Sequence, residues 1–458
     1  MLDVTLFGTD PGIAHLHNAV LHGINSLLVY LVIFRFTNNH WQSLLLSLVF
    51  LVHPQHVESV AWIAERKDLL CALFFLWGLL VYDTYKTSPS IARYCLLVFC
   101  LVMALMAKSM AVTFPFLLIV LDHCIYRFRD SSAATPSSFW DFSYAFRNIP
   151  NKLLLIAISV VAMGVTLISQ GAASFVSGLD TVSITDRLQN AVYGYTIYIR
   201  QFFVPADLAV YYPIRNDIPW IETIASGLLV AYILGVGVKS YVRQPLLTAG
   251  IAWYFLLLVP VIGLVQVGSQ SHADRYMYLP SIGILLVLSA LMSLWSNVRL
   301  KTTVASVFVV FFAVVGYFQV GYWENRHLLF NRALDVTDNN FIAHSRLVKD
   351  YLARGMIEQA KYHAFQTYKL VPDVPMSFVN FGIIAVKEKD YPEAERHFKQ
   401  AIKVGGLEDA IWINLSLALA EQGKIEEALP YFQRAIDSEN SLIAEEAKKN
   451  LARFTTKN

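Results

Sequence analysis

Two histidines, two glutamates, an arginine, a lysine and an aspartate stand between His53 and Asp68 (HPQHVESVAWIAERKD), with LLLSLVFLV before them and LLCALFFLWGLLVY after. Titratable groups of both signs at the mouth of an apolar helix pair suit two tasks. One is a general base for a hydroxyl acceptor; the other is a clamp for a phosphate leaving group. If VESVAWIAERKDLL is one helix, Glu58 and Glu65 fall two turns apart on one face, with Arg66 and Asp68 displaced around it. The competing reading is an interfacial loop whose Glu, Arg and Asp pair with one another and with lipid headgroups.

A second group lies in QSHADRYMYLPSIG, where Asp274, Arg275, Tyr276 and Tyr278 precede Pro280. Arg-Tyr at a membrane surface can grip a lipid phosphate through guanidinium and phenol donors; an aromatic-belt anchor with an Asp–Arg pair is the plainer alternative. Lys108 is third, an ammonium inside the apolar stretch 94–121. Such residues are functional suspects, although a lysine at a turn can also snorkel to the surface. A weaker signal is Arg200 with Tyr211, Tyr212 and Pro213. No Gly-rich phosphate loop, zinc motif, nucleophile elbow or acyl-transfer triad is present. Cys71, Cys95, Cys100 and Cys124 lack metal-ligand spacing and read as small core residues, so no metal is expected.

The elements that must position these groups are membrane helices. The 458 residues are 56% hydrophobic and 15% charged, with mean hydropathy +0.49, which places the chain among integral membrane proteins. The net charge of +2 gives no sign of nucleic-acid binding. Apolar runs fall at about 17–36, 67–86, 152–170, 218–238, 245–264, 279–296 and 302–322, with a shorter one at 41–53. Basic residues on both flanks of 94–121 (Lys86 and Arg93; Arg127, Arg129, Arg147 and Lys152) require two crossings there, with Lys108 at the far turn. The expectation is about ten spans. Arg35, Lys239, Arg243, Arg299 and Lys301 join the cytoplasmic set, and the 53–68 loop, the loop around 268–278 and the C-terminus fall on the outer face. Residues 186–204 read as an interfacial or re-entrant helix.

After Trp323 the charge density rises and a repeat appears. Ala360, Ala394 and Ala428 are spaced by 34 residues, and Leu347/Phe381/Leu415, Phe398/Phe432 and Ala401/Ala435 keep the same register. This is the tetratricopeptide (TPR) pattern of paired helices. Its first unit is degenerate, with Ala364 and Thr367 at the Phe and Ala positions, and 442–454 reads as a cap helix. The expected organisation is all-α: a polytopic membrane domain over 1–322, a linker over 323–340, and a TPR α-solenoid of about three repeats plus cap over 341–458.

HPQHVESVAWIAERKDLL, ALMAKSMAVTFPFLLIVLDH, GLVQVGSQSHADRYMYLPSIG and WENRHLLFNRALDVTDNNFIAHSRL, followed by TPR units, resemble the transmembrane-and-TPR family of O-mannosyltransferase-like proteins, within the GT-C class of membrane glycosyltransferases. The resemblance covers essentially the whole chain. It implies a polyprenyl-phosphate-linked sugar, with mannose expected, as donor, and transfer to a protein hydroxyl on the extracytoplasmic side. The partners it implies are the lipid-linked donor, the membrane, and an acceptor protein or peptide held by the TPRs. On this reading Glu58 or Asp68 orients a Ser/Thr hydroxyl. His53, His56, Arg66, Lys67, Lys108, Asp274, Arg275 and Tyr276 hold the lipid phosphate. GT-C enzymes begin with a transmembrane helix and an outer loop bearing the key acidic residue or pair. MLDVTLFGTDPGIAHLHN resembles the end of that loop, and neither Asp3 nor Asp10 has the adjacent-acid pattern. The expectation is a chain truncated before that acidic site. A membrane-anchored TPR scaffold without catalysis is the main alternative; a transporter is the third.

Overall fold

The computed structural model describes residues 10–133, 136, 138–172, 183–215, 218–264, 270–406, 409–438 and 440–455. Asp3 and the start of the loop expected around 268–278 lie outside them. The chain divides into two compact units, Met1–Glu324 and Asn325–Asn458.

The first unit is helical. In order it holds α1 (Pro11–Thr37), α2 (His40–Val52), α3 (Val57–Ala61), α4 (Arg66–Thr87), α5 (Ile91–Ala107), α6 (Phe114–Leu121), α7 (Leu153–Ala172), α8 (Ile184–Phe203), α9 (Trp220–Ser240), α10 (Pro245–Leu258), α11 (Ser281–Ser293) and α12 (Val298–Tyr322), besides shorter helical turns. Local chemistry sets the ends. Asp10 caps α1, its carboxylate accepting from the Gly12 amide at 2.7 Å ahead of a proline in the first turn, and Asn38 closes it at φ 53°. Asn39, Ser90 and Asn297 cap α2, α5 and α12 in the same way. Pro54 ends α2, because a proline disfavours helical backbone at the residue before it and donates no N–H.

Six helical segments among the described residues are long and apolar enough to cross a membrane: Pro11–Thr37, Ile63–Thr87, Ser109–Arg129, Pro150–Ser169, Trp220–Ser240 and Val298–Tyr322. A seventh arises if His40–Val52 and Pro54–Ala61, bent by 51°, count as one broken span. The expected ten is therefore too many. Ile91–Ala107, Pro245–Leu258 and Ser281–Ser293 are apolar but short; a helix of thirteen residues reaches only about 20 Å, against a hydrocarbon core of about 30 Å. In Pro245–Leu258 and Ser281–Ser293 the apolar character serves burial in protein, whereas Ile91–Ala107 keeps Ile91, Phe99 and Met106 exposed. Trp253, Leu257, Ile282 and Leu285 have no exposed surface. α10 and α11 pack backbone to backbone, since a Cβ on Gly283 would stand 2.6 Å from the Gly250 carbonyl oxygen. The stretch 94–121 does divide into two helical pieces at Lys108, whose extended backbone ends α5.

Among the described residues one two-stranded ribbon interrupts the helices: β1 (Tyr212–Pro213) pairs antiparallel with β2 (Gln270–His272), Tyr212 opposite His272 and Pro213 opposite Gln270.

The second unit holds α13 (Arg326–Val336), inside the expected linker, then helix pairs α14 (Phe341–Ala353) with α15 (Ile357–Leu370), α16 (Pro375–Glu388) with α17 (Tyr391–Lys403), and α18 (Asp409–Glu421) with α19 (Ile425–Ile436), followed by α20 (Ser441–Thr455). The 34-residue register maps onto burial: Ala360, Ala394, Ala428, Phe398, Phe432, Ala401 and Ala435 are all fully buried. In the degenerate first unit Ala364 and Thr367 fill the Phe and Ala positions and are also fully buried.

Candidate active site

α1 and α4 run side by side in the same direction. At their N-terminal ends, Arg66 Nε donates to Asn18 Oδ1 at 2.8 Å and its Nη2 to the Ala14 carbonyl at 2.9 Å. Midway, Asn25 donates to the Leu69 carbonyl at 2.9 Å, and at the far ends Arg35 meets Asp83 at 3.1 Å. The start of α4 is where the 53–68 segment, Lys108 and the 270–278 segment converge.

The expected continuous helix through VESVAWIAERKDLL does not form. α3 ends at Trp62, whose backbone is extended (ψ 107°); a 3-10 turn carries Ile63–Glu65, and α4 starts at Arg66. The break still brings Glu58 and Glu65 to one partner. The backbone amide of Arg275 donates to Glu58 Oε2 at 2.8 Å, and its guanidinium pairs with Glu58 Oε1. Its Nε stands 3.6 Å from Glu65 Oε1, and its Nη2 donates to Gln270 Oε1 at 3.2 Å. Gln270 donates in turn to the Tyr276 hydroxyl at 2.6 Å. Lys108 Nζ lies 2.6 Å from Asp68 Oδ1. The Tyr276 ring joins the two ion pairs, with Arg275 at 5.0 Å and Lys108 at 5.4 Å from its centroid. Trp62 flanks the guanidinium on a further side, at 5.5 Å.

Glu58, Glu65 and Asp68 are all buried, and Arg275 nearly so. Carboxylates this far from water need cationic or hydrogen-bonding partners, and the network supplies them. Lys67 extends outward, half-exposed, with its Nζ 3.3 Å from Glu65.

Asp274, Tyr212 and α8 form a supporting layer. The Tyr212 hydroxyl donates to Asp274 Oδ1 at 2.8 Å and accepts from the Ala209 amide at 2.8 Å. Burial, and next the charge of Glu58, push the Asp274 carboxyl well above the usual carboxylate range. His272 stacks on the Tyr212 ring at 3.9 Å; burial, helped by the charge of Arg200, lowers its pKa to about 3, so the imidazole is neutral. Residues 186–204, expected as an interfacial or re-entrant helix, turn polar groups inward. Asn190 donates to the Ser271 carbonyl at 3.2 Å, Tyr198 donates to the Ala273 carbonyl at 3.2 Å, and Arg187 and Gln201 are buried.

His53 and His56 stand apart from this ion network. His53 Nε2 bonds the Phe202 carbonyl at 2.9 Å, and His53 Nδ1 accepts from the Gln55 amide at 3.2 Å. His56 bonds the Phe50 carbonyl at 2.7 Å through Nδ1 and Ser281 Oγ at 3.1 Å through Nε2. These two rings tie α2 to α8 and α11. Of the expected site residues, the structure gathers Glu58, Asp68, Lys108, Arg275, Tyr276 and, through Tyr212, Asp274. Arg66 is bound to α1. Glu65 and Tyr212 belong with the group although sequence reading gave them no role: Glu65 only for its helix position, Tyr212 only as part of a weak loop signal. Among the described residues no cluster of three or more His, Cys, Asp or Glu side chains could hold a metal ion.

The sequence has relatives among known proteins. A tetratricopeptide repeat family model matches residues 379–441. Mouse protein O-mannosyl-transferase TMTC4 is 26% identical over 398 residues, covering 76% of this chain and 54% of its own length. Human protein O-mannosyl-transferase TMTC3 is 23% identical over 95% of this chain and 52% of its own. Protein O-mannosyl-transferase F38B6.6 of Caenorhabditis elegans is 23% identical over 78% and 50%. The chain is a homologue of the TMTC protein O-mannosyl-transferases. It spans about half the length of the curated relatives it matches. Both parts of the expected organisation, apolar helices able to cross a membrane and C-terminal TPR helices, accompany that homology.

Proposed function

We propose that the chain carries acceptor-activating and donor-binding groups of a membrane glycosyltransferase site. Such a site moves a sugar, with mannose the expected one, from a polyprenyl phosphate to a protein Ser/Thr hydroxyl. The observation that carries this reading is the convergence of three sequence-distant segments on one buried network, Glu58–Arg275–Glu65 beside Lys108–Asp68, bridged by Tyr276. In the reaction the acceptor oxygen attacks the anomeric carbon, the bond from that carbon to the phosphate oxygen breaks, and the electron pair leaves with the lipid phosphate. Glu58 or Asp68 takes the hydroxyl proton. Arg275, Lys108 and the half-exposed Lys67 stabilise the departing phosphate, with Tyr276 as a further donor. His53, His56, Arg66 and Asp274 fix the frame around them. The network lies on the extracytoplasmic face and the TPR helices hold the acceptor; the cation excess at the opposite helix ends supports that orientation.

A second reading is a non-catalytic membrane-anchored TPR scaffold. The saturation of Glu58, whose two oxygens both bind Arg275, favours it, because such a pair can be purely structural. Transfer of labelled mannose from polyprenyl-phosphate mannose, by the protein in vesicles, separates the two. Under the enzyme reading the parent transfers mannose and Arg275→Ala abolishes transfer while the protein still expresses; no transfer by the parent would leave only the scaffold, and parental turnover in Arg275→Ala would overturn the role of Arg275.

A further inference from the structure

A second charged cluster lies at the other ends of the same helices, about 22 Å from Asp68 along α4, and the proposed reaction makes no use of it. It is built two cations to each carboxylate. Asp83 takes Arg35 at 3.1 Å and Arg129 at 3.4 Å. Asp122, in the π-helical turn Asp122–Tyr126, takes Lys152 at 2.5 Å and Lys86 at 3.3 Å. Lys152 and Asp122 are fully buried. Tyr82 donates to Asp122 Oδ1 at 2.8 Å, and Lys86 donates to Asn148 Oδ1 at 3.0 Å, so the inner half is complete. The outer half is open. The side chains of Arg35 and Arg129 are 51% and 38% exposed, and both lean on one carboxylate that cannot neutralise two guanidiniums. Arg129 is held in place: its Nη2 donates to the Arg35 carbonyl, and its guanidinium lies over the Phe36 and Tyr126 rings at 5.7 and 5.9 Å.

We propose that Arg35 and Arg129 form a binding site for the phosphate of an anionic phospholipid headgroup. Four cations against Asp83, Asp122 and the neighbouring Asp130 leave an excess of one positive charge, and the exposed pair presents planar N–H donors of the kind that bind phosphate bidentately. The lipid source follows from position. α1 and the 63–87 and 109–129 segments all qualify as membrane-crossing, and Arg35, Asp83 and Arg129 stand at the ends where those segments leave the apolar layer. Phe36 and Tyr126 supply the apolar and aromatic floor expected at headgroup level. The site does not depend on the proposed transfer reaction.

The test is the thermal unfolding midpoint of the whole purified chain, in neutral detergent micelles doped with phosphatidylglycerol or phosphatidylcholine, or supplemented with inorganic phosphate. Phosphatidylglycerol should raise the midpoint by a few degrees over phosphatidylcholine, since a ligand that binds only the folded state stabilises it. The shift should vanish in Arg35→Gln/Arg129→Gln and persist in Arg396→Gln in the TPR unit, an exposed arginine outside both sites. If the double variant does not fold, Arg35→Gln alone should lose more than half of the shift. An equal midpoint in the two lipids, or a full shift in the Arg variants, overturns the site. An equal rise with inorganic phosphate alone overturns the lipid assignment and leaves a free-anion site.

Discussion

Glu58 and Arg275, 217 positions apart, are joined twice, through the Arg275 backbone amide at 2.8 Å and through its guanidinium. This contact fixes both the orientation of the guanidinium and the course of the loop that carries it. Glu58→Ala leaves a buried guanidinium short of its main partner and should cost about 3–5 kcal/mol. Glu58→Gln keeps an acceptor for the amide and should cost less. Unfolding midpoints in detergent rank the two; equal, small losses would show that the contact does not hold the loop.

Lys108 and Asp68 form the parallel case. Asp68 is buried, so Lys108→Met alone strands a carboxylate, whereas Lys108→Met/Asp68→Asn removes both charges. The double variant should be more stable than the single lysine variant by about 1–3 kcal/mol. Additive losses in a double-mutant cycle would contradict direct coupling.

The contact between Gly250 and Gly283 makes a steric prediction. A side chain on either must push backbone away, because the nearest atom is a carbonyl oxygen at 2.6 Å. Gly283→Leu should reduce the yield of folded protein sharply, while Gly235→Leu, with nothing within 4 Å of its added Cβ, should not. Size-exclusion profiles from matched membrane preparations report the difference.

In the TPR unit, His344 Nδ1 and His363 Nδ1 are 2.8 Å apart, so one donates to the other and at most one can be charged without breaking the bond. Burial, then the nearby His344 and His327, lower the His363 pKa to about 4, and burial lowers that of His344. The unfolded chain therefore binds protons first, and the stabilisation is complete above about pH 6.5 and lost as pH falls toward 4. At pH 5, after discount for solvent screening, the loss should be on the order of 1 kcal/mol, a several-fold drop in amide protection over 341–370 corrected for intrinsic exchange. Protection unchanged between pH 7 and 5 would refute this.

Much of the architecture was legible in sequence because its signals are periodic. Ala360, Ala394 and Ala428 recur every 34 residues, since each lies where paired TPR helices touch and only a small side chain fits. Span counting overshot at Pro245–Leu258 and Ser281–Ser293 because hydropathy reads burial in protein and burial in lipid alike; only length separates them. Clustering of Glu58, Asp68, Lys108 and Arg275 was expected, but its wiring was not. Trp62 breaks the helix that seemed to align Glu58 with Glu65, and Tyr212 reaches Asp274 across 62 residues through a two-residue strand. His53 and His56 were expected to hold the lipid phosphate and are engaged by backbone carbonyls, a contact no local pattern announces.

The most direct test of the catalytic account is the rate of mannose transfer from polyprenyl-phosphate mannose by the protein carrying Glu58→Gln or Asp68→Asn, each checked for an unfolding midpoint near that of the parent. Loss of the carboxylate that accepts the hydroxyl proton should lower kcat by about 100-fold or more in one of the two. Parental turnover in both folded variants would contradict the assignment of this network as the site of transfer.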